Sequence, residues 1–314
     1  MKTMLATILP QTAFATPPHG DTLFGQLCWS LRNRYGDDWL AERLQGYVGQ
    51  NAPFLVVSDW FPAGYWPRPF LPPVRTKPSS VDRKAEKKKI WLPRDKVHLD
   101  LKAWLSLCQS EEEIWKSDRK IAPQPHNSIN RLTGTTGKEG FAPFQVDQTW
   151  FPPDARLEIW LVVDPDRLDE AELRTALEDV GRSGFGKDAS TGIGKFVVEK
   201  LEPAELPNQK NSTAWLTLGF CAPQGCGLDP ERSCYSVLTR FGRHGDVAAI
   251  QGRPFKQPVL LARAGAVLVP SSSFVEMSCV GQGISKISKM MPETVTQGYA
   301  PVVGLCVDRE FYDG

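Results

Sequence analysis

The sequence predicts an α+β fold, and three observations carry that expectation. Two strand-then-helix units flank a long irregular stretch, a Gly-rich segment separates the second helix from a further strand, and everything after about residue 213 reads as strand and turn. The chain has 314 residues, 41% of them hydrophobic and 23% charged, which is enough apolar side chain for a sizeable core and too much for a disordered polymer. Lys plus Arg is 37 against 36 for Asp plus Glu, so the net charge of +1 argues neither for nor against a polyanionic partner, and local clusters must decide.

Residues 3–12 alternate through Met4, Ala6 and Ile8 as a first strand does. Ala13-Phe14-Ala15 also has the small-residue pattern of a secretory cleavage site, but the apolar run before it is broken by Thr, Gln and Pro. Past Thr16-Pro17-Pro18-His19-Gly20, the spacing of Leu23, Leu27 and Leu31 predicts a helix over 20–34, with Asp21 or Thr22 as cap and Gly36 as its stop. A second helix is expected over 38–46 and a short strand over Phe54–Ser58. FPAGYWPRPFLPP, 61–73, carries five Pro in thirteen residues and is expected to be a rigid, aromatic surface loop.

From Arg75 to Lys96 nine Lys or Arg face three acids, a local net of +6; a solvated face is the plain reading, and nearby Trp60, Tyr65, Trp66 and Trp91 add surfaces for base stacking or a protein partner. DLKAWLSLC reads as an amphipathic helix, and 117–149, rich in Gly, Thr and polar residues, as an irregular hairpin or excursion. Leu157–Val163 is a strand. The apolar positions Leu168, Leu173, Ala176, Leu177 and Val180 then mark a helix over 167–180 behind an acidic first turn. GRSGFGKDASTGIGKF, 181–196, holds five Gly and leads into the strand 196–201.

The resulting order is βαββαβ, that of a ferredoxin-like unit with an insertion at about 60–150 between its second and third strands. Residues 1–205 are therefore expected to form one domain. A polar linker leads to a β-rich second domain over 213–314, with strands at 214–221, 234–241, 257–263, 265–269, 274–279 and 301–307, expected to be a second, distorted ferredoxin-like unit.

Gly184-Phe185-Gly186-Lys187-Asp188-Ala189 matches a dinucleotide fingerprint, but a helix precedes it and a strand follows, the reverse of what presents a helix N-terminus to a pyrophosphate. What remains is a loop whose missing β-carbons let a polyanion approach the backbone, with Arg182, Lys187 and Lys195 as cations and Ser183, Ser190 and Thr191 as donors; a plain connection is the competing reading. His19, just before the first helix, is read as structural or RNA-contacting, with a general base as the alternative. The seven Cys include no C-x-x-C pair, which suits buried thiols in a reducing cytoplasm, and neither a metal nor a cofactor is assigned.

HGDTLFGQLCWSL, SDWFPAGYWPRPFLPP, KKKIWLP, PHNSINRLTGTTGKEGFAPF, the Gly-rich loop and GYAPVVGL, in this order, resemble the RAMP superfamily of CRISPR-associated RNA-binding proteins. Within it they are similar to subunit four of type III-A (Csm) effector complexes, which caps the 5′ tag of crRNA. No run approaches 18 consecutive apolar residues, so no membrane association is expected. The resemblance implies two ferredoxin-like units, no catalytic activity, and contacts with the crRNA 5′ tag, target RNA near the tag, the large polymerase-like subunit and the backbone RAMP subunit. It places Gly184, Phe185, Gly186, Lys187, Ser190, Thr191, Gly192, Gly194 and Lys195, with Arg182 and Ser183, at the tag. It sets His19 and Gly20 in the same groove and Arg131, Thr133 and Thr135 on a thumb-like hairpin. Tyr65, Trp66 and Arg68 are expected at a protein interface. Asp188 departs from the family pattern and is expected to pair with a neighbouring cation. The rival reading is a metal-independent repeat endoribonuclease using His19.

Overall fold

A computed structural model of the chain describes residues 1–72, 83–117, 119–137, 141–245 and 255–307. Most of the Pro-rich loop lies within them, whereas the first part of the basic run, 75–82, lies outside.

The first unit is organised by β1 (Lys2–Pro10), α1 (Gly20–Tyr35), α2 (Asp37–Arg43) and β2 (Leu55–Val57). Leu23, Phe24, Leu27 and Leu31 form the buried stripe of α1, and Gly36, at φ +99°, ends it while its amide donates back to the Arg32 carbonyl. The helix start differs from expectation. Neither Asp21 nor Thr22 caps it; the Asp59 carboxylate, from the far side of β2, accepts from the Gly20 amide at 2.8 Å. Gly20 is required there, since a β-carbon would lie 2.3 Å from the Val57 carbonyl oxygen.

The insertion contains β3 (Phe61–Pro62), β4 (Tyr65–Pro67), α3 (Arg83–Lys88), β5 (Trp91–Pro93), α4 (Leu101–Leu107), α5 (Glu111–Trp115) and the antiparallel pair β6 (Lys120–His126) and β7 (Phe144–Trp150). Its first half is core and not the surface loop expected. Pro interrupts regular pairing, yet β3 pairs with the sheet and β4 with β5, and Trp66 is fully buried with Leu92 and Trp104 against Trp160. Burying large apolar rings outweighs the loss of a few ladder bonds. Trp60 is likewise 3% exposed and belongs to the core.

The unit closes with β8 (Leu157–Val163), α6 (Glu170–Ser183) and β9 (Phe196–Pro203). Asp169 caps α6 reciprocally with Glu172, satisfying two otherwise free amides. The sheet order β2-β8-β1-β9, with every neighbouring pair antiparallel, is that of a βαββαβ ferredoxin-like unit. All seven residues of β8 are buried, because α1 and α6 cover one face while Trp160 on the other meets the insertion and the second half of the chain.

The second half contributes β10 (Ala214–Thr217), β11 (Val237–Arg240), β12 (Val259–Ala262), β13 (Val267–Leu268), β14 (Cys279–Gly281) and β15 (Tyr299–Leu305). One antiparallel sheet runs β13-β10-β15-β14, and β11 with β12 form a separate hairpin. No helix occurs among its described residues, so its sheet is packed on the first unit. The Gln297 side chain, 1% exposed, completes the edge of β2 by accepting from the Val57 amide at 2.8 Å and donating to the Val57 carbonyl at 2.7 Å. The result is an α+β fold. No helix among the described residues is long and apolar enough to cross a membrane.

Candidate functional site

The Gly-rich segment leaves the end of α6 and returns into edge strand β9. Phe185 is its plug: fully buried, it lies 5.1 Å from the ring of Trp60 and 5.7 Å from that of Phe14. Two glycines make that plug possible. A β-carbon on Gly184 would sit 2.4 Å from the Ile193 carbonyl oxygen and one on Gly194 2.2 Å from that of Phe185, and both have positive φ. These glycines let the loop close upon itself.

Outside the plug, the loop is laced to the segment following β1. The Lys187 amide donates to Thr16 Oγ1 at 2.8 Å, the Gly194 amide to the Ala13 carbonyl at 2.8 Å, and the Lys195 amide to Thr12 Oγ1 at 2.9 Å. Gln26 of α1 accepts from the Gly186 amide and donates to the Gly184 carbonyl. Sequence reasoning missed Thr12, Thr16 and Gln26, whose contacts lie 158 to 183 residues away along the chain. A β-carbon at Gly186 would meet Thr16 at 2.5 Å, so Gly186 too serves the loop's own packing.

The exposed part is the turn 187–192. Asp188, in the left-handed region at φ +61°, starts a single turn of 3-10 helix over Ala189–Thr191, ended by Gly192 at φ +91°. The amides of Asp188, Ala189 and Ser190 have no hydrogen-bond acceptor among the described residues, and a β-carbon on Gly192 would meet nothing within 4 Å. Lys187, Ser190, Thr191 and Lys195 are exposed around it. Asp188 pairs with Lys187 at 3.9 Å, while Lys195 has no ion-pair partner among the described residues. Arg182 and Ser183 are exposed at the end of α6, but the Arg182 guanidinium is committed to Asp179, which also takes hydrogen bonds from Arg34 and Ser30. Chiefly through Arg34, and against its partial desolvation, the Asp179 carboxyl is held down at about 2.

His19 does not join this turn. Its Nδ1 lies 3.1 Å from Asp59 Oδ2 and its ring 4.3 Å from that of Phe220. It lines a separate cleft of about 990 Å³ between the insertion and the second half, whose wall includes Pro17, Pro18, Trp91, Arg68, Phe151 and Arg263. The structure thus divides the predicted site in two, joined by the strap Thr16–His19. Asp59, the residue that orients His19, went unnoticed in the sequence; its only signal is an acid set just before the apolar pair Trp60-Phe61.

Arg131, Thr133 and Thr135 are exposed at the tip of the β6–β7 hairpin, where Thr133 and Thr135 hydroxyls lie 3.0 Å apart. The hairpin root reaches the loop through Phe14, which pairs with Thr149 and packs on Phe185 and Phe151. The expected interface residues fare differently. Trp66 is buried in the core and unavailable, the half-buried Tyr65 donates its hydroxyl to Gln109, and Arg68 donates to the carbonyls of Glu86 and Lys89 at the end of α3 while lining the cleft.

No family model and no curated protein matches the sequence. Solved structures do match. A Csm4 chain in the crystal structure of the Csm3-Csm4 subcomplex of a type III-A CRISPR-Cas interference complex is 15% identical, with 98% of this chain and 100% of that one covered and a TM-score of 0.59. The Csm1-Csm4 cassette in complex with cA4 gives 16% identity, 98% and 99% coverage and a TM-score of 0.56. The cassette with pppApA gives 16%, 98%, 100% and 0.54. The chain shares the α+β fold of these Csm4 chains over nearly its whole length.

Proposed function

We propose that the protein is a non-catalytic RNA-binding subunit of a type III CRISPR-Cas interference complex, which caps the 5′ repeat-derived tag of crRNA and bridges the large polymerase-like subunit to the backbone RAMP subunit. The observation that carries this reading is the exposed turn 187–192, set between α6 and edge strand β9 of the ferredoxin-like unit, in a chain that shares the Csm4 fold over 98% of its length. Free amides, hydroxyls and Lys195 suit the backbone of one strand end, where a few contacts position the polymer without demanding a large net charge. Csm3 and Csm1, which the solved subcomplexes contain, are the partners this reading assigns.

The test is recovery of crRNA with the tagged chain co-expressed with the remaining subunits. A tag carrying 4-thiouridine should crosslink to 182–195, and Lys195→Glu should reduce crRNA retention while subunit recovery persists. Absence of a crosslink to 182–195, with crRNA retention unchanged in Lys195→Glu, would refute the capping role. The His19–Asp59 pair favours one second reading, since a carboxylate-oriented imidazole is what a metal-independent ribonuclease would use as its base. That reading requires His19→Ala to abolish repeat cleavage by the assembled complex; under the capping role, the crRNA pool is unchanged.

A further inference from the structure

The β11–β12 hairpin has two unlike faces. Leu261 packs inward with Phe220 and Ala222, and Leu238 and Val259 pack against them. The outer face alternates at every second residue through Val237, Thr239, Phe241 and Arg243, all exposed, and is joined from the opposite strand by Leu260 and Phe255. Phe241 is 62% exposed and Phe255 66%. Rings left in water on a sheet already packed on its other side contribute nothing to the core, so a surface role is the physical question they raise.

The charges answer what that role is. Across 235–245 and 255–263 the charged residues are Arg240, Arg243, Lys256 and Arg263, with no Asp or Glu. Arg240 is spent on Asp21 and Lys256 is half-buried; Arg243 faces solvent on the stripe, whereas Arg263, opposite Phe220, lies on the inner side of the hairpin. Arg243 pairs with Phe255 across the strands and sets its guanidinium 5.9 Å from that ring. Arg263 follows β12 directly and lines the cleft beside His19 and Phe220. Exposed rings beside Arg243, which has no ion-pair partner among the described residues, complement a polyanion that also offers flat apolar faces, which is a single-stranded nucleic acid. A protein partner would meet this cation with no carboxylate beside it among the described residues of the face.

We propose that the outer face of the β11–β12 hairpin is a second single-stranded RNA platform, on which bases stack on Phe241 and Phe255 while Arg243 holds the backbone. It is separate from the turn 187–192 and shares no lining residue with the His19 cleft. Only the choice of RNA as polymer rests on the function proposed above; the platform rests on its own residues.

The experiment uses the full chain in its co-purified complex, stripped of endogenous RNA, and a short oligouridylate bearing 4-thiouridine as probe. Crosslinks are expected in peptides covering 235–243 and 255–263. The double change Phe241→Ala with Phe255→Ala should weaken binding by about tenfold per ring. Both rings are exposed, so thermal stability should hold, and Arg243→Glu provides an independent variant with the same expected direction. Unchanged affinity in both variants, without hairpin crosslinks, overturns the platform. Hydrogen-exchange protection of the hairpin in the stripped complex also overturns it, because a protein subunit would then be its occupant. Loss of loop crosslinks at 182–195 with hairpin crosslinks intact would count against the capping role alone.

Discussion

Arg240 of β11 clasps Asp21 of α1, 219 residues earlier, with Nε to Oδ2 at 2.6 Å and Nη2 to Oδ1 at 3.1 Å, and the same guanidinium donates to Thr22 Oγ1. A helix start read in the sequence as capping itself is instead the landing point of the second half of the chain. Asp21 is 7% exposed and Arg240 23%. Removing the arginine therefore strands a buried carboxylate, whereas removing the carboxylate leaves a cation that can reach water.

Arg240→Ala should accordingly cost about 3 kcal/mol and Asp21→Asn clearly less. Urea midpoints of the two variants check the asymmetry, and equal losses would show that Arg240 acts by packing on Phe220.

Two glycines of the same loop should behave oppositely. Gly194→Ala drives a methyl into the Phe185 carbonyl and should unseat the loop, while Gly192→Ala meets open space and should cost only the left-handed backbone strain of about 1 kcal/mol. Thermal melts of the pair separate a loop closed by packing from one held open for a ligand.

Phe185→Ala empties a fully buried site beside Phe14 and Trp60 and should cost about 4 kcal/mol. Retention of crRNA should fall with it, although every cation of the loop is still present. An equilibrium denaturation curve and an RNA recovery assay on one preparation measure both.

Lys195 is exposed without an ion-pair partner among the described residues, so Lys195→Ala should leave stability unchanged and lower the slope of log affinity against log salt by about 0.7, as loss of one single-strand phosphate contact requires. An unchanged slope in a salt titration would remove Lys195 from the RNA path.

Asp179 gives the fold a defined acid sensitivity. Its carboxyl is held at about 2, below the 3.8 of a free aspartate, first by the Arg34 hydrogen bond and then by Arg182 and Ser30. Below 3.8 the unfolded chain binds the proton more readily, so this stabilisation is complete above that pH and drains away as the pH falls towards 2. Urea midpoints followed from pH 5 to pH 2 should show a slope that Asp179→Asn flattens.

Local chemistry made much of this legible. The alternation of β1, the apolar run of β8, the leucine stripe of α1 and the acidic cap of α6 are short-range patterns, and they sufficed to order the ferredoxin-like sheet and to place the Gly-rich loop before its last strand. The same reasoning misjudged Trp66, because five prolines state that a segment is irregular and nothing about whether it is buried.

By itself, then, the sequence determined the helices and strands of the ferredoxin-like unit and which loop lacks β-carbons, since backbone preference and apolar periodicity act within a few residues, but not the short strands of the insertion or its helices α3 and α5. Tertiary structure decided what those features do. It assigned Gly184 and Gly194 to closing the loop, gave His19 its partner in Asp59, and turned one face of β11–β12 to solvent. Each of those outcomes depends on atoms brought together from distant parts of the chain, where packing and desolvation act and sequence spacing is silent.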